Sequence, residues 1–185
     1  MMPRLLVLTD RRLVPEGRSL ADVLHAVASG GASTVLLRES DLPDAARADL
    51  ADAARSAGLE VLAAHRAVAG CAGVHARSAD PAPAARRWGR SCHDRAEVAR
   101  AARDGASWVT LSPFAATDSK PGHGPPLPAS AFRGLPLPAY ALGGISPANA
   151  GAARAAGAHG VAVMGAVMRA DDPAAVVAAL LREVA

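Results

Sequence analysis

Short apolar runs alternate with longer alanine-rich stretches along most of the chain. Eight of these runs are almost continuously hydrophobic, as expected for strands buried on both faces of a parallel sheet. They are Leu5–Thr9, Thr34–Leu37, Glu60–Ala63, Gly73–Ala76, Arg90–Cys92, Trp108–Leu111, Ala139–Leu142 and Gly160–Met164. The pattern therefore predicts eight short parallel strands.

The alanine-rich stretches have the spacing of helices, and several open with a helix-start signal. Ser146-Pro147 and Asp172-Pro173 each place an N-cap residue before a proline at the first helical position, and Asp80-Pro81 has the same form. The predicted helices are Leu20–Ala28, Pro43–Ala57, Pro81–Trp88, Ala96–Asp104, Pro128–Phe132, Pro147–Ala156 and Pro173–Val184.

A glycine turn leads from a predicted helix to a predicted strand in three segments of similar sequence, "SGGASTVLL", "RDGASWVTL" and "AAGAHGVAVM". The period of about 25 residues is the length of one βα unit. Eight units predict one domain over residues 1–185, an α/β fold of the small (β/α)8 TIM-barrel type. The stretch from Arg66 to Gly73 is too short for a helix, so we expect a truncated third βα unit. An open doubly wound sheet is the structural alternative.

Composition narrows the class of protein. The chain is 51% hydrophobic and only 3% aromatic, so the core must be built mainly from alanine, valine and leucine. The net charge of +3 comes from 20 basic and 17 acidic residues without a basic run, which argues against nucleic-acid binding. A mild basic excess is compatible with a phosphorylated substrate.

The two cysteines, Cys71 and Cys92, form neither a disulfide framework nor a metal-binding spacing. The apolar run near the N-terminus is too short for a signal peptide or a membrane span. We therefore expect a cytoplasmic protein without membrane contact.

The strongest candidate for chemistry is "ALGGISPANA" (Ala141–Ala150), where a strand ends in two glycines before a helix. Glycines let the backbone approach an anion, and a helix N-terminus offers N–H donors. Gly165 and Ala166 stand in the same place after the next strand. Because the loops after strands seven and eight commonly bind phosphate in this barrel, we predict a phosphate site at Gly143, Gly144, Gly165 and Ala166.

Other polar residues also follow strand ends. Thr117, Ser119 and Lys120 belong to a long loop after the sixth strand, which is typical of a segment that closes over a substrate. Arg38 follows the second strand, where it either contacts an anion or pairs with a carboxylate. All four are predicted to bind substrate.

The stretch "GRSCH" (Gly89–His93) ends the fifth strand. His93 is the candidate for proton transfer, because an imidazole titrates near neutral pH. Ser91 is expected to contact substrate or cap a helix, and Cys92 to be a small buried residue.

His65, His75 and Asp80 form only a weak metal set, since no second carboxylate stands beside Asp80. A plain helix N-cap is the expected role of Asp80.

Six segments together resemble the thiamine phosphate synthase and thiazole tautomerase (TenI) superfamily, in the order of that family. They are "LVLTD", "GASTVLLRES", "GVHARSAD", "GRSCH", "DGASWVTLSPFAATDSK" and "ALGGISPANAGAARAAGAHGVAVMGAV". The resemblance implies a barrel, a small phosphorylated thiazole as ligand, a role in thiamine metabolism, and a homodimer.

The departures from the family pattern concern the pyrimidine diphosphate. Synthases usually show Gln-x-Arg-x-Lys after the second strand to hold the diphosphate, and here the outer positions are Leu36 and Ser40. Synthases show Asn-Asp after the third strand, where the Asp binds magnesium, and here the pair is Ala64-His65. The second magnesium carboxylate of the family is kept as Asp80.

These departures resemble the tautomerase branch more than the synthase branch. We therefore expect an isomerase that aromatises a thiazole carboxylate phosphate without metal or other cofactor, with His93 as its acid–base residue. The alternatives are a divergent synthase that uses Asp80 and Mg²⁺, and a binder or regulator that retains the phosphate site without turnover.

Overall fold

Eight parallel strands close into a barrel in the computed structural model, which describes residues 2–116 and 125–185. Each strand pairs with the next one in the chain, and the last pairs with the first. The strands are β1 (Leu5–Leu8), β2 (Thr34–Leu37), β3 (Glu60–Ala64), β4 (Gly73–Ala76), β5 (Trp88–Cys92), β6 (Trp108–Leu111), β7 (Ala139–Leu142) and β8 (Gly160–Val163). The predicted (β/α)8 fold is confirmed.

Helices lie between most of the strands. They are α1 (Leu20–Ser29), α2 (Asp44–Ser56), α3 (Arg95–Arg103), α4 (Pro147–Ala155), α5 (Gly165–Met168) and α6 (Pro173–Val184), with 3₁₀ helices at Arg11–Leu13 and Ala129–Phe132. Their starts follow local chemistry: the side chains of Ser19 and Asp172 accept backbone N–H groups three residues ahead. No helix among the described residues has the length and apolar character needed to cross a membrane.

The barrel wall separates two groups of buried side chains. Along β1, Leu6 and Leu8 belong to the cluster inside the barrel, whereas Leu5 and Val7 belong to the larger cluster between strands and helices. This alternation is the period of two that a strand imposes. Two of the few aromatic side chains, Trp108 and Tyr140, are fully buried inside the barrel, where their large rings fill much of the interior.

The truncation predicted for the third βα unit is confirmed, since residues 65–72 form no helix. The helix predicted over Pro81–Trp88 is wrong: residues 81–87 are irregular, and Trp88 begins β5. Pro83 explains the error, because it disfavours helical geometry in the residue before it, immediately after the helix-start signal at Asp80-Pro81. The fourth unit is therefore shortened as well.

The structure differs from the sequence prediction at two further places, Asp80 and the end of the last strand. Asp80 caps no helix; its Oδ2 accepts the backbone N–H of Arg77 at 3.0 Å and closes a turn. The predicted last strand reaches Met164, but β8 ends at Val163 and the short helix α5 begins at Gly165.

Candidate functional site

The C-terminal ends of the strands and the loops that follow them form one opening of the barrel, which we call the mouth. A parallel barrel brings all eight strand ends to this opening, whatever their separation in the chain. The predicted site residues that the structure describes all lie on this end. Thr117, Ser119 and Lys120 lie outside the described residues.

The floor of the mouth is a small polar group on an aromatic ring. The Nε2 atom of His75 lies 3.2 Å from the Ser91 hydroxyl and 3.3 Å from the Thr110 hydroxyl. The His75 ring stacks on Trp108, with the ring centroids 6.1 Å apart. Three neighbouring strands, β4, β5 and β6, thus contribute one polar side chain each to the same point.

His75 is neutral at physiological pH. Burial, with smaller contributions from His65 and Arg38, lowers its pKa to about 3. Its Nδ1 atom is buried and has no hydrogen-bond partner among the described residues. A neutral imidazole beside two hydroxyls suits an uncharged polar ring better than an anion.

Beside this floor, at the end of β7, the backbone comes close to itself at two glycines. Gly143 and Gly144 both have positive φ, at 97° and 63°. The start of the loop after β6 crosses above them, since the Phe114 and Ala115 N–H groups donate to the carbonyls of Leu142 and Gly143 at 2.9 and 3.0 Å. A Cβ at Gly144 would lie 2.3 Å from the Ala116 carbonyl oxygen, so only glycine fits there.

The two glycines lead directly into α4. Its first turn is held by a capping box in which the Ser146 N–H donates to Asn149 Oδ1 at 2.9 Å. The Asn149 amide also donates to the Gly144 carbonyl at 2.8 Å, which fixes the orientation of the glycine peptide. Together with Gly165 and Ala166 after β8, these residues form what we call the glycine side of the mouth.

Arg38 connects this glycine side to β2. Its backbone N–H donates to the buried Thr9 hydroxyl at 2.9 Å, and its Nη1 donates to the Met164 thioether. Met164 immediately precedes Gly165, so the Arg38 guanidinium reaches the predicted phosphate loop after β8 from β2, two strands away around the barrel. The tertiary structure thereby brings together Arg38 and the glycine side.

The residues that follow β1 to β4 form what we call the arginine side. Its acidic groups are already engaged. Glu39, which is 2% exposed, accepts from the Arg11 Nη1 at 3.0 Å, and Asp41 accepts both terminal nitrogens of Arg11. Asp44 accepts Arg66 Nε at 2.8 Å. The neighbouring arginines hold the pKa values of Asp41 and Asp44 below their usual range.

His65 occupies the centre of the arginine side. It has a φ of 70°, which is unusual for a residue other than glycine, and its N–H donates to the His75 carbonyl at 2.8 Å. Its Nδ1 is buried without a hydrogen-bond partner among the described residues. Burial and then the charge of Arg77 lower the pKa of His65, so this imidazole is also biased towards the neutral form.

The stretch that ends β5 divides its residues between the two faces of the barrel wall. Ser91 points to the floor, as described above. Cys92 packs outside the strands, and burial raises the pKa of its thiol to about 12, which confirms its expected role as a buried residue. His93 lies higher on the rim, with its Nδ1 3.2 Å from the Glu97 carboxylate.

Sequence reasoning named His75 only as a member of a weak metal set, and it did not single out Thr110. The signal available was the alternation of strand residues: His75 and Gly73 share one face of β4, and Thr110 and Trp108 share one face of β6. Without the barrel register, neither face can be identified as the inner one.

Comparison with known proteins identifies the relatives of the chain. The thiamine monophosphate synthase family matches residues 5–167. A thiamine-phosphate synthase of Roseiflexus castenholzii is 39% identical, over 94% of this chain and 85% of its own length. A putative thiamine-phosphate synthase of Geobacter sulfurreducens is 36% identical, over 91% of this chain and 88% of its own length.

A solved structure has the same fold. The thiamine phosphate pyrophosphorylase of Pyrococcus furiosus superposes with a TM-score of 0.82, at 24% identity, over 98% of this chain and 95% of that one. The expectation of an isomerase is wrong, because these curated relatives are named as synthases, which are transferases.

Proposed function

Since this chain belongs to the thiamine monophosphate synthase family, we propose that it is a transferase that joins a pyrimidine diphosphate to a thiazole phosphate. The bond between the pyrimidine methylene carbon and a diphosphate oxygen breaks, and the lone pair of the thiazole nitrogen forms a new carbon–nitrogen bond. The diphosphate leaves with the electron pair of the broken bond. No proton has to move at the reacting atoms, so this reaction does not need His93 as an acid–base residue.

What the protein must supply for this reaction is alignment of the two halves and positive charge near the leaving group. The glycine side is proposed to bind the thiazole phosphate through backbone N–H groups of Gly143, Gly144, Gly165 and Ala166. The positive φ values at Gly143 and Gly144 support this assignment, because they turn the chain tightly and leave no side chain in the way.

The observation that carries the proposal is the position of Arg38. Its guanidinium reaches from the end of β2 past the end of β1 to Met164, beside Gly165. A single cation there is in reach of a phosphate on the glycine side and of a second anionic group on the arginine side. The floor formed by His75, Ser91 and Thr110 offers neutral polar contacts to an uncharged ring.

The family resemblance implies Mg²⁺, and the residues present do not fit it. Mg²⁺ prefers hard oxygen ligands, but His65 stands where the resemblance expects the metal-binding Asp. Among residues 2–116 and 125–185, no three His, Cys, Asp or Glu side chains come together as a metal site. We therefore derive no step through a metal ion.

The proposal is tested by incubating the purified chain with both phosphorylated halves and following thiamine phosphate and diphosphate release. Stoichiometric formation of both products is the expected result. Arg38→Gln should lower kcat/KM by about a hundredfold, because a charge-assisted contact to the reacting anion is lost. A complete absence of product from the intact chain, with and without Mg²⁺, would contradict the proposal.

A second candidate is a thiazole-phosphate binder or regulator without turnover. Leu36 favours it, because this side chain is buried in the cluster inside the barrel and cannot hydrogen-bond a diphosphate. Calorimetric binding of a thiazole phosphate by a chain that forms no product would select this candidate.

A further inference from the structure

The carboxylates of the arginine side already accept hydrogen bonds from protein groups, so they are not arranged to bind a metal cation. Glu39 and Asp41 accept arginine N–H groups, Asp44 accepts Arg66, and Asp80 accepts the backbone N–H of Arg77. A divalent cation would have to displace these donors or share their oxygens. Three of these carboxylates, Glu39, Asp41 and Asp44, are therefore balanced by arginines, whereas Asp80 is held by a backbone N–H.

Two arginines of this side are left to face the mouth. Arg38 extends past the end of β1 to Met164. Arg77 directly follows β4, and strand alternation continued by one residue places it on the same side as His75, inside the mouth. His65, next to β4 through its 2.8 Å hydrogen bond to the His75 carbonyl, lies between them. Arg77 and Arg38 both act electrostatically on His65, which is consistent with this arrangement.

From this arrangement we infer that the chain binds a diphosphate-type anion on the arginine side without a divalent cation, with Arg38 and Arg77 supplying the positive charge. Guanidinium groups match phosphate oxygens with paired donors and need no deprotonation or metal loading. The buried, unpartnered Nδ1 of His65 adds a neutral polar contact at the same place. The inference rests on the proposed function for the identity of the anion.

The test is calorimetric titration of the full chain with inorganic pyrophosphate, once in EDTA and once with saturating Mg²⁺. We expect binding in EDTA, with a Kd no weaker than the Kd in Mg²⁺. Binding that occurs only when Mg²⁺ is present would overturn the inference.

Arg77→Gln should weaken pyrophosphate binding in EDTA by about tenfold or more, since one charge-assisted contact is removed. Arg86→Gln is the matched control. Arg86 belongs to the same loop as Arg77, but it lines a cavity with Met2 and Arg4 at the other end of the barrel. The Arg86→Gln substitution therefore removes the same charge at a position away from the mouth. If both variants weaken pyrophosphate binding equally, the effect comes from the change in net charge alone, and the assignment of Arg77 is overturned.

His65→Asp converts the prediction into a gain of function. Aspartate tolerates the left-handed backbone found at residue 65, so the variant is expected to fold. The new carboxylate should weaken metal-free pyrophosphate binding by about tenfold and make binding depend on Mg²⁺. Metal-free binding as tight as in the parent would speak against a role for this position.

These results separate the inference from the proposed function. If pyrophosphate binds without metal but no thiamine phosphate forms under any condition, the proposed function fails and the binding inference stands. If thiamine phosphate forms but pyrophosphate binds only when Mg²⁺ is present, the transferase stands and the inference fails.

Discussion

In the proposed function, the two sides of the mouth hold an anion in opposite ways. The glycine side uses backbone at Gly143 and Gly144, in a part of the barrel that retains its covering helix α4. The arginine side uses long charged side chains and adjoins the third and fourth units, where no helix follows the strand. The first arrangement depends on the absence of side chains, and the second depends on their identity.

The departures from the pattern that the family resemblance implies lie towards the arginine side of the mouth. A backbone site is lost only when a bulky residue enters, so its glycines are retained easily. A side-chain site changes chemistry with single substitutions, and Leu36, Ser40 and His65 are three of them.

The largest effect is expected from Gly144→Ala on the glycine side. The added Cβ would lie 2.3 Å from the Ala116 oxygen and 2.8 Å from the Ala115 Cβ, and a φ of 63° is strained for alanine. We expect a loss of about 3 kcal/mol in the free energy of unfolding and of at least about a hundredfold in affinity for thiazole phosphate. Denaturant unfolding and calorimetry measure the two effects.

Gly134→Ala is the matched control for backbone strain alone. Gly134 has nearly the same φ, 60°, but nothing lies within 4 Å of its Cβ position. The Gly134→Ala variant should lose about 1 kcal/mol of unfolding free energy and keep the parent affinity for thiazole phosphate. Similar behaviour of the two variants would mean that the close approach at Gly144 does not matter.

On the arginine side, Arg11→Ala should destabilise the fold by about 2 kcal/mol. Glu39 is 2% exposed and would become a buried charge without its arginine, although Arg11 itself is one-third exposed and its backbone contact survives. Chemical denaturation measures the change. Arg12→Ala, which removes an exposed contact to Asp41, should cost less than about 0.5 kcal/mol. Adding Glu39→Gln to Arg11→Ala should restore part of the loss, and a further loss would contradict this account.

The floor between the two sides should make stability fall in acid. The pKa of His75 is about 3 in the folded protein, below the ordinary value of 6.5 that the unfolded chain retains. Between these values the unfolded state binds a proton that the folded state does not, so stability decreases as pH falls. Denaturation at pH 6 and pH 5 should show a loss of about 1 kcal/mol from His75 alone.

His75→Gln removes the titrating group and keeps a polar side chain, so its stability should fall less steeply over this interval. His25→Gln, which changes an exposed histidine of α1, is the control and should keep the parent slope. An unchanged slope in His75→Gln would show that the buried imidazole does not produce the effect.

The smallest effect is expected from Thr110→Val. The valine removes the 3.3 Å contact to His75 Nε2, while the 3.2 Å contact to Ser91 remains. We expect a loss of about 0.5 kcal/mol in unfolding free energy and a modest rise in KM for the substrate whose ring contacts the floor. A kcat loss as large as that of Arg38→Gln would instead place Thr110 at the reacting atoms.

Local rules predicted most elements of this barrel from the sequence. Apolar runs such as Thr34–Leu37 became strands with the same bounds, and Ser146-Pro147 opens α4 as its cap chemistry indicates. The same rules failed at Asp80-Pro81, where a helix-start signal is followed by Pro83 and no helix forms. A cap signal specifies where a helix begins only if the next residues can continue it.

The sequence by itself determined the order of the strands, the turns at Gly143 and Gly144, and the losses at Leu36 and His65, because each depends on a residue and its immediate neighbours. Only the tertiary structure decided which side chains meet. Arg38 and Met164 are 126 positions apart, and His75 and Thr110 are 35 apart. Their contacts follow from barrel closure and strand register, which bring distant strand ends to one opening and turn alternate residues inward.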